Sequence, residues 1–394
     1  MIVPKGWVEK KLGDIAIRVS SGITKIRKND GKYPLYGSTD LIGYTDTPDY
    51  SGKKILIARV GANAGIINIV DGIYGVSDNT LIVEINDNVD LIFLYSQLYN
   101  KKLNHLIFGS GQPLITGAQL KELDILLPQA KTEQCAIATT LSDTDALITA
   151  MEKLIAKKLA IKQGAMQELL TGKRRLPGFS GKWEEKPLKA ICAKITTGKL
   201  DANAMINGGQ YRFYTCAKDY YYIDDYAFDA EALLVSGNGE NVGYVHYYKG
   251  KFNAYQRTYV LTDFSVEINW LKHFMDMFLS ARIANEVNLG NTPYIRLDTL
   301  TDMIINCPEL PEQTAIASII SDMDAEIDVL TTKLNKIRNI KQGMMSELLT
   351  GRIRLVGQKT VYKYPATAKG SEKLGQAAEP KIKYKSGGKE HAKN

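Results

Sequence analysis

Cysteine and histidine are scarce in this 394-residue chain, which contains four of each. The cysteines are scattered, no CxxC pair occurs, and no histidine stands near a cysteine at the spacing of metal ligands. This pattern is typical of a reduced, cytoplasmic protein and predicts neither a disulfide framework nor a metal site. The residues concerned are Cys135, Cys192, Cys216, Cys307, His105, His246, His273 and His391.

Long apolar runs are missing as well. No segment approaches the ~20 apolar residues needed to cross a bilayer, so we expect no contact with a membrane, and residues 1–15 lack the pattern of a secretory signal. The formal net charge is +7, but residues 357–394 contain nine lysines and three glutamates, which leaves the rest of the chain nearly neutral. Any affinity for nucleic acid must therefore come from local patches of charge.

The motifs of several enzyme classes are also absent. No GxxxxGK[ST] loop occurs, which argues against an NTPase. The glycine-rich segment 236–243 leads into the strand-like VGYVHYY, so we interpret it as a hairpin loop and not as a phosphate-binding turn before a helix. Residues 291–294 read NTPY, with threonine in place of the first proline of the NPPY signature of adenine methyltransferases. We therefore predict that this chain has no catalytic residue and binds no cofactor or metal.

What the sequence does contain is a long internal repeat. Residues 134–176 and 313–355 lie 179 positions apart, align without a gap and share the blocks AIA, SD-x-DA, IKQG and ELLTG. Apolar residues of the second copy recur in alternating steps of four and three, the pattern of a coiled-coil seam. A helix over 134–171 is about 55–60 Å long at ~1.5 Å per residue. We predict two long antiparallel helices that form a coiled coil; two unrelated core helices are the alternative.

The duplication extends beyond these helices, because Trp7 corresponds to Trp183 and Ile15 to Ile191. Segments 54–60 and 80–85 predict strands, and segments 91–106 and 269–287 predict helices. We expect an α/β (α+β) fold with two similar globular domains, two long helices and a pseudo-two-fold internal repeat. The predicted divisions are a first domain at 1–130, a central helix at 131–175, a second domain at 176–310, a distal helix at 311–355, and a basic tail at 356–394 that we expect to be disordered.

The two copies also differ in informative ways. Arg59 of the first domain corresponds to Gly237, and eleven of the 22 tyrosines fall between Tyr211 and Tyr259. Similar frames with divergent loops suggest two different binding surfaces, although tyrosine is also common in strands for packing reasons. Gly164 and Gly343 occupy equivalent places inside the predicted helices, where glycine costs about 1 kcal/mol relative to alanine. Either another backbone approaches closely there or the helices bend.

This layout resembles the specificity (S) subunit of Type I restriction-modification systems. The paired AIA…SD-x-DA…IKQG…ELLTG helices carry the resemblance, with the loops VGANAG (60–65) and GQPLIT (111–116) in support. The resemblance implies two target recognition domains that each read half of a bipartite, asymmetric double-stranded DNA site. It also implies a helical spacer that binds two methyltransferase (modification) subunits, joined by up to two restriction/translocase subunits. S-adenosylmethionine, ATP and magnesium are then bound by those partners, with no cofactor in this chain.

Polar residues of the predicted loops and helices are the candidate contacts. Arginine and lysine can hold phosphates or guanine edges, and asparagine and glutamine can pair with adenine, although a solvated charge or a turn-capping amide is an equally ordinary role. The DNA-binding candidates are Lys25, Arg27, Lys28, Arg59, Asn63, Asn79, Gln112, Lys199, Lys218, Asn238, Asn241, Gln256, Arg257, Asn291 and Arg296. The partner-binding candidates, repeated in both helices, are Gln134, Asp143, Asp145, Gln163, Glu168, Gln313, Asp322, Asp324, Gln342 and Glu347.

Two other functions remain open at this point. A fused adenine-N6 methyltransferase or endonuclease acting alone requires motifs that are not evident, and methyl transfer by the purified chain would support it. A coiled-coil adaptor without DNA affinity predicts no sequence preference in a salt-dependent binding assay with the partners present.

Overall fold

The computed structural model describes residues 3–25, 27–38, 40–107, 114–286 and 294–355. The candidates Gln112 and Asn291, and the basic tail, lie outside these residues. In the described part of the chain, two mixed α/β domains alternate with two helices of 39 residues each.

The first domain contains three small sheets, ordered β2-β9-β6-β7, β4-β3-β8-β5 and β1-β10, and is followed by a long helix. Its elements are β1 (Trp7–Lys11), α1 (Leu12–Ile15), β2 (Ala16–Ser21), β3 (Tyr33–Tyr36), β4 (Leu41–Thr45), β5 (Tyr50–Ser51), β6 (Lys54–Ala58), β7 (Ile67–Val70), β8 (Ile73–Val76), β9 (Thr80–Ile85), α2 (Leu91–Asn100), a 3-10 turn (Leu103–Leu106), α3 (Gly117–Lys121), β10 (Asp124–Pro128) and the long helix α4 (Lys131–Leu169).

The second domain contains a six-stranded sheet ordered β12-β17-β15-β16-β13-β14 and the two-stranded sheet β11-β18. Its elements are β11 (Glu184–Pro187), α5 (Leu188–Ile191), β12 (Cys192–Thr197), a 3-10 turn (Ala202–Ala204), β13 (Tyr211–Tyr214), β14 (Tyr221–Ile223), β15 (Phe228–Ser236), β16 (Val245–Ala254), β17 (Thr258–Phe264), α6 (Ile268–Glu286), α7 (Leu297–Thr301), β18 (Ile304–Cys307) and the long helix α8 (Leu310–Leu348).

We call β2-β9-β6-β7 the main sheet of the first domain and the six-stranded sheet that of the second. Each main sheet has a core on both faces, because successive side chains of a strand point to opposite faces. In β15, Leu233 and Val235 pack with α6, whereas Ala232 and Leu234 belong to an outer core with Tyr214 and Phe252. The first domain repeats this arrangement with a main core and a smaller, tyrosine-containing outer core. Half-exposed aromatic side chains pack against these outer cores, Tyr36 in the first domain and Phe228 and Tyr248 in the second.

The two long helices pack against each other and cross from one domain to the other. Ile137 near the start of α4 and Leu348 at the end of α8 share the core of the first domain, while Met166 and Ile316 share that of the second. Four ion pairs join the helices between these ends, and their numbering runs in opposite directions along the two helices. They are Asp145–Lys341, Glu152–Arg338, Lys158–Glu326 and Lys162–Asp324.

Several predicted elements differ in detail from the structure. The helix predicted over 91–106 ends at Asn100, since Lys102 has a left-handed backbone (φ 51°) and a 3-10 turn follows. The helix predicted over 269–287 is confirmed as Ile268–Glu286. No described atom lies within 4 Å of a Cβ placed on Gly164 or Gly343. A close approach between the two helices therefore does not explain these glycines.

Candidate nucleic-acid interface

In the first domain, backbone hydrogen bonds bring four loops to one end of the main sheet. The Arg59 amide donates to the Asn79 carbonyl (2.9 Å), and the Ile115 amide donates to the Arg59 carbonyl (2.9 Å). The Gly22 amide donates to the Thr80 carbonyl (2.9 Å), and a Cβ on Gly22 would lie 2.3 Å from the Val76 carbonyl oxygen. Only glycine allows that approach. The segments 22–25, 59–65, 77–80 and 114–116 therefore form one surface.

The second domain builds the same surface with the same bonds. The Gly237 amide donates to the Arg257 carbonyl (2.8 Å), the Ile295 amide to the Gly237 carbonyl (2.9 Å), and the Gly198 amide to the Thr258 carbonyl (3.3 Å). A Cβ on Gly198 would lie 1.8 Å from the Ala254 carbonyl oxygen. Segments 198–201, 236–243, 255–258 and 294–296 thus correspond to the four loops of the first domain. We call each set of loops the loop face of its domain.

The predicted side chains of the first loop face fall into two groups. Arg59 is half-buried, and its Nη1 donates to the Asp78 carbonyl (3.4 Å) while its Nε has no hydrogen-bond partner among the described residues. Asn63 is half-buried, and Asn79 and Lys25 are exposed. Exposed Arg27 and Lys28 lie on a neighbouring segment, where Lys28 pairs with Asp46 (2.5 Å). The charge of Lys28 is therefore already balanced.

The second loop face carries a different set of groups. Gln256 and Arg257 are exposed, and the Gln256 amide donates to Asp201 (3.3 Å). The Asn241 side chain donates to the Cys216 carbonyl (3.2 Å), which adds the loop at 215–219 with exposed Lys218. Asn238 is half-buried, and its backbone forms an isolated β-bridge with Tyr294. Lys199 and Arg296 are exposed, and the Arg296 guanidinium lies 3.6 Å from the Asp298 carboxylate.

Two of the partner-binding candidates have structural roles. Gln134 is 1% exposed and Gln313 is 3% exposed. The Gln134 side chain accepts from the Asp90 amide (2.8 Å) and donates to the Pro128 carbonyl (2.9 Å). Gln313 makes the equivalent bonds to the Glu267 amide and the Pro308 carbonyl, both 2.8 Å. The structure does not support the prediction that these glutamines face partners, because each attaches its helix to its own domain.

The other partner-binding candidates lie on the helix surfaces. Asp145 and Asp324 pair with Lys341 and Lys162 of the opposite helix. Glu168 and Glu347 pair with arginines just beyond their own helices, Arg174 and Arg352. The remaining candidates are exposed on the helix surfaces and are Asp143, Gln163, Asp322 and Gln342.

A buried ion pair that the sequence did not predict lies at each end of the helix pair. Arg175 forms two hydrogen bonds of 2.7 Å with Glu312, and the Trp183 indole also donates to Glu312 (3.1 Å). These bonds raise the pKa of Arg175. Arg354 and Glu133 form the equivalent pair. The repeated RRL and RIRL after the ELLTG block were the available signal, but their partners lie more than 130 positions away.

No metal-binding or membrane-spanning feature appears in the described residues. They contain no cluster of His, Cys, Asp and Glu that could hold a metal ion, and no helix long and apolar enough to cross a membrane. Burial lowers the pKa of His246 and of His273, which favours neutral imidazoles at both sites.

Sequence comparison agrees with the duplicated geometry. The family described as Type I restriction modification DNA specificity domain matches the chain twice, at residues 4–160 and 180–339. The chain belongs to this family. Its two domain-plus-helix units are therefore two copies of the family's domain.

Relatives and solved structures are consistent with that assignment. The chain is 38% identical over 158 residues to the Type I restriction enzyme EcoDI specificity subunit of Escherichia coli, a match of 40% of this chain and 35% of that protein. It is 24% identical to the MjaVIII specificity subunit of Methanocaldococcus jannaschii over 90% of this chain and 94% of that protein. For the two Escherichia coli relatives, EcoDI and EcoprrI, the chain spans only about a third of their length.

The fold itself is shared with a solved S subunit of a Type I restriction-modification system from M. genitalium. The two align with a TM-score of 0.68 at 18% identity, over 88% of this chain and 98% of the other. A second chain, solved in work on complex assembly and conformational transition of the type I R-M system, gives a TM-score of 0.51 at 14% identity, over 90% and 100%.

Proposed function

We propose that this chain is the DNA-specificity subunit of a Type I restriction-modification complex and recognises a bipartite, asymmetric DNA site. The observation that carries the proposal is the pair of loop faces, built on the same hydrogen bonds but lined by different side chains. Arg59 and Asn79 of the first loop face correspond to Gly237 and Arg257 of the second, because they form the equivalent backbone hydrogen bond. Because base edges are distinguished by their donors and acceptors, unlike side chains read unlike half-sites.

The helices α4 and α8 act as the spacer between the two readers. They form an antiparallel coiled coil with a pseudo-two-fold axis, and two of their ion pairs support this symmetry. Lys162–Asp324 and Asp145–Lys341 exchange with each other under the 179-residue offset of the repeat. A fixed distance between two readers sets a fixed gap between half-sites, as it does in dimeric DNA-binding proteins.

The same symmetry supplies equivalent docking surfaces for two methyltransferase subunits. Exposed Gln163 and Gln342 occupy corresponding positions, next to the open glycines Gly164 and Gly343. Exposed Ile161 (47%) and Ile340 (48%) extend these surfaces with apolar area. Up to two restriction/translocase subunits join this core. S-adenosylmethionine, ATP and magnesium are bound by the partners, and the complex acts on cytoplasmic DNA.

A domain exchange tests the proposal. Residues 1–130 are replaced by the corresponding domain of a family member with a different site, and the chimaera is assembled with its methyltransferase subunits. Mapping of methylated adenines should show one half-site changed and the other retained. A reciprocal exchange of residues 176–310 is the matched control and should alter only the other half-site. The proposal is wrong if either chimaera changes both half-sites, or if the two chimaeras leave both half-sites unchanged. Methyl transfer by the purified chain alone would favour an enzyme instead.

A further inference from the structure

A half-buried arginine of the second domain lies between two tyrosine rings. The Arg212 guanidinium carbon is 4.2 Å from the centre of the Tyr220 ring and 4.6 Å from that of Tyr248. Its Nη1 donates to the Tyr214 hydroxyl (3.3 Å), and Tyr214 is 1% exposed. Two ring contacts and one hydrogen bond fix both the position and the plane of the guanidinium, since cations are attracted to aromatic faces.

The positive charge of Arg212 is not balanced from within the described protein. Arg212 makes no ion pair with any described carboxylate. Burial raises the pKa of the Tyr214 hydroxyl, so this neighbour stays neutral. A partly desolvated cation with neutral neighbours is costly, and an external acceptor offsets that cost.

Contacts connect Arg212 to the second loop face. The Tyr214 ring centre is 5.1 Å from that of His246, whose Nε2 lies 2.9 Å from the Ala217 carbonyl oxygen. Ala217 precedes the candidate Lys218, and its loop is held by the Asn241 side chain. Tyr220 itself is 38% exposed. The site is therefore continuous with the loop at 215–219.

The first domain has no comparable group in its described residues. Its outer core contains Tyr36, Tyr50 and Tyr74, but no arginine lies between two of these rings. The difference confines any effect of Arg212 to the second domain and makes the first domain an internal control.

We propose that Arg212 is a specificity-determining residue that reads a guanine edge in the half-site bound by the second domain. This inference rests on the proposed function. A guanine presents its O6 and N7 acceptors in one plane, and an arginine with a fixed plane matches them with two hydrogen bonds. A phosphate requires only a nearby charge, which exposed Lys199 and Lys218 already provide.

The test uses Arg212→Lys in the full chain assembled with its methyltransferase subunits. The variant keeps the charge but loses the planar pair of donors. Wild-type and variant complexes select bound duplexes from a library in which both half-sites are randomised. We expect the preference for guanine at one position of the second half-site to fall by roughly 5- to 150-fold, with the first half-site unchanged. That unchanged half-site shows that the variant has folded and assembled.

Two further arms separate the sources of binding. Replacing the selected guanine by 7-deazaguanine should weaken wild-type binding and leave the Arg212→Lys complex nearly unaffected. Lys251 lies on β16 of the same sheet and contacts only one described ring, that of Tyr226. Lys251→Met removes this cation and should leave every base preference unchanged. Unchanged base preferences in the Arg212→Lys complex overturn the inference. A weaker affinity for all sequences, with a smaller salt dependence of binding, overturns it too, because that result identifies a phosphate contact. If the wild-type complex selects no bipartite site, the proposed function fails as well.

Discussion

Arg354 and Glu133, separated by 221 positions, form a two-point ion pair with N–O distances of 2.5 and 2.7 Å. The Glu133 side chain is 2% exposed and the Arg354 side chain 27%. The pair attaches the segment after α8 to the beginning of α4, so the first domain holds the end of the helix pair at which α4 begins and α8 ends. Arg175 and Glu312 make the same attachment at the second domain.

Removal of either buried carboxylate should destabilise the chain strongly. Glu133→Ala is expected to lower the free energy of unfolding by about 3 kcal/mol, because it leaves a partly buried arginine unpaired. Glu312→Ala should cost more, since Glu312 also accepts a hydrogen bond from the Trp183 indole, whereas the equivalent Trp7 nitrogen has no partner among the described residues. Urea denaturation measures both values. The control Glu152→Ala removes an exposed ion pair and should cost less than about 1 kcal/mol; an equal cost for Glu133→Ala would contradict this prediction.

The glycines that end the two long helices should differ in their tolerance of alanine. Gly351 (φ +68°) and Gly172 (φ +70°) both have left-handed backbones, which cost roughly 1–2 kcal/mol for other residues. A Cβ on Gly351 would lie 2.9 Å from Trp7, whereas a Cβ on Gly172 would lie 3.4 Å from Trp183. Gly351→Ala should therefore lower the melting temperature more than Gly172→Ala. Gly178→Ala is the control, because its Cβ would meet no described atom; if it is as harmful as Gly351→Ala, the steric argument is wrong.

The glycines inside the long helices should respond in the opposite direction. Gly164→Ala and Gly343→Ala should each raise the free energy of unfolding of the isolated chain by up to about 1 kcal/mol, since helix propensity improves and no described atom obstructs the methyl group. The same changes should weaken binding of the methyltransferase subunits if a partner lies against these positions. Titration calorimetry measures that binding, and leucine at the same positions should weaken it further. Leucine variants that assemble like the wild type would show that this face is not an interface.

The repeat allowed the long helices to be predicted because it fixes both their length and their mutual partner. Repetition does not show which way a residue faces, because Gln134 and Gln313 are repeated like surface residues but are buried against their own domains. Their hydrogen-bond partners include backbone amides 44 and 46 positions away, which no local pattern reveals. A residue can be repeated because it serves the interior of each copy as well as because it serves a shared surface.

Individual contacts on the loop faces were harder to predict than the loops themselves. The glycines of the loop at 60–65 are visible in the sequence, whereas the close backbone approaches at Gly22 and Gly198 depend on carbonyl groups more than 50 positions away. The surroundings of Arg212 could not be predicted, since its ring partners Tyr220 and Tyr248 come from a separate loop and strand. Composition showed only that tyrosines are concentrated in this part of the chain.

The spacer role predicts how the recognised site changes when the helices are lengthened. Seven residues inserted after Asp145 in α4, together with seven inserted before Lys341 in α8, preserve the ion pairs on both sides because these two residues face each other. The insertion adds about 10.5 Å at ~1.5 Å per residue, and a heptad keeps the coiled-coil phase. The gap between half-sites should therefore grow by about three base pairs, given roughly 34 Å for each ten.

Methylation mapping of the lengthened complex measures this gap, and the bases preferred in each half-site should stay the same. Insertion into α4 alone is the matched control, since it shifts every later residue of α4 relative to its partner on α8. Lys162 then no longer faces Asp324, and we expect the stability of the chain to fall. An unchanged gap in the doubly lengthened complex would contradict the spacer role. Altered base preferences with a normal gap would contradict the independence of the two readers, because the insertions lie outside both loop faces.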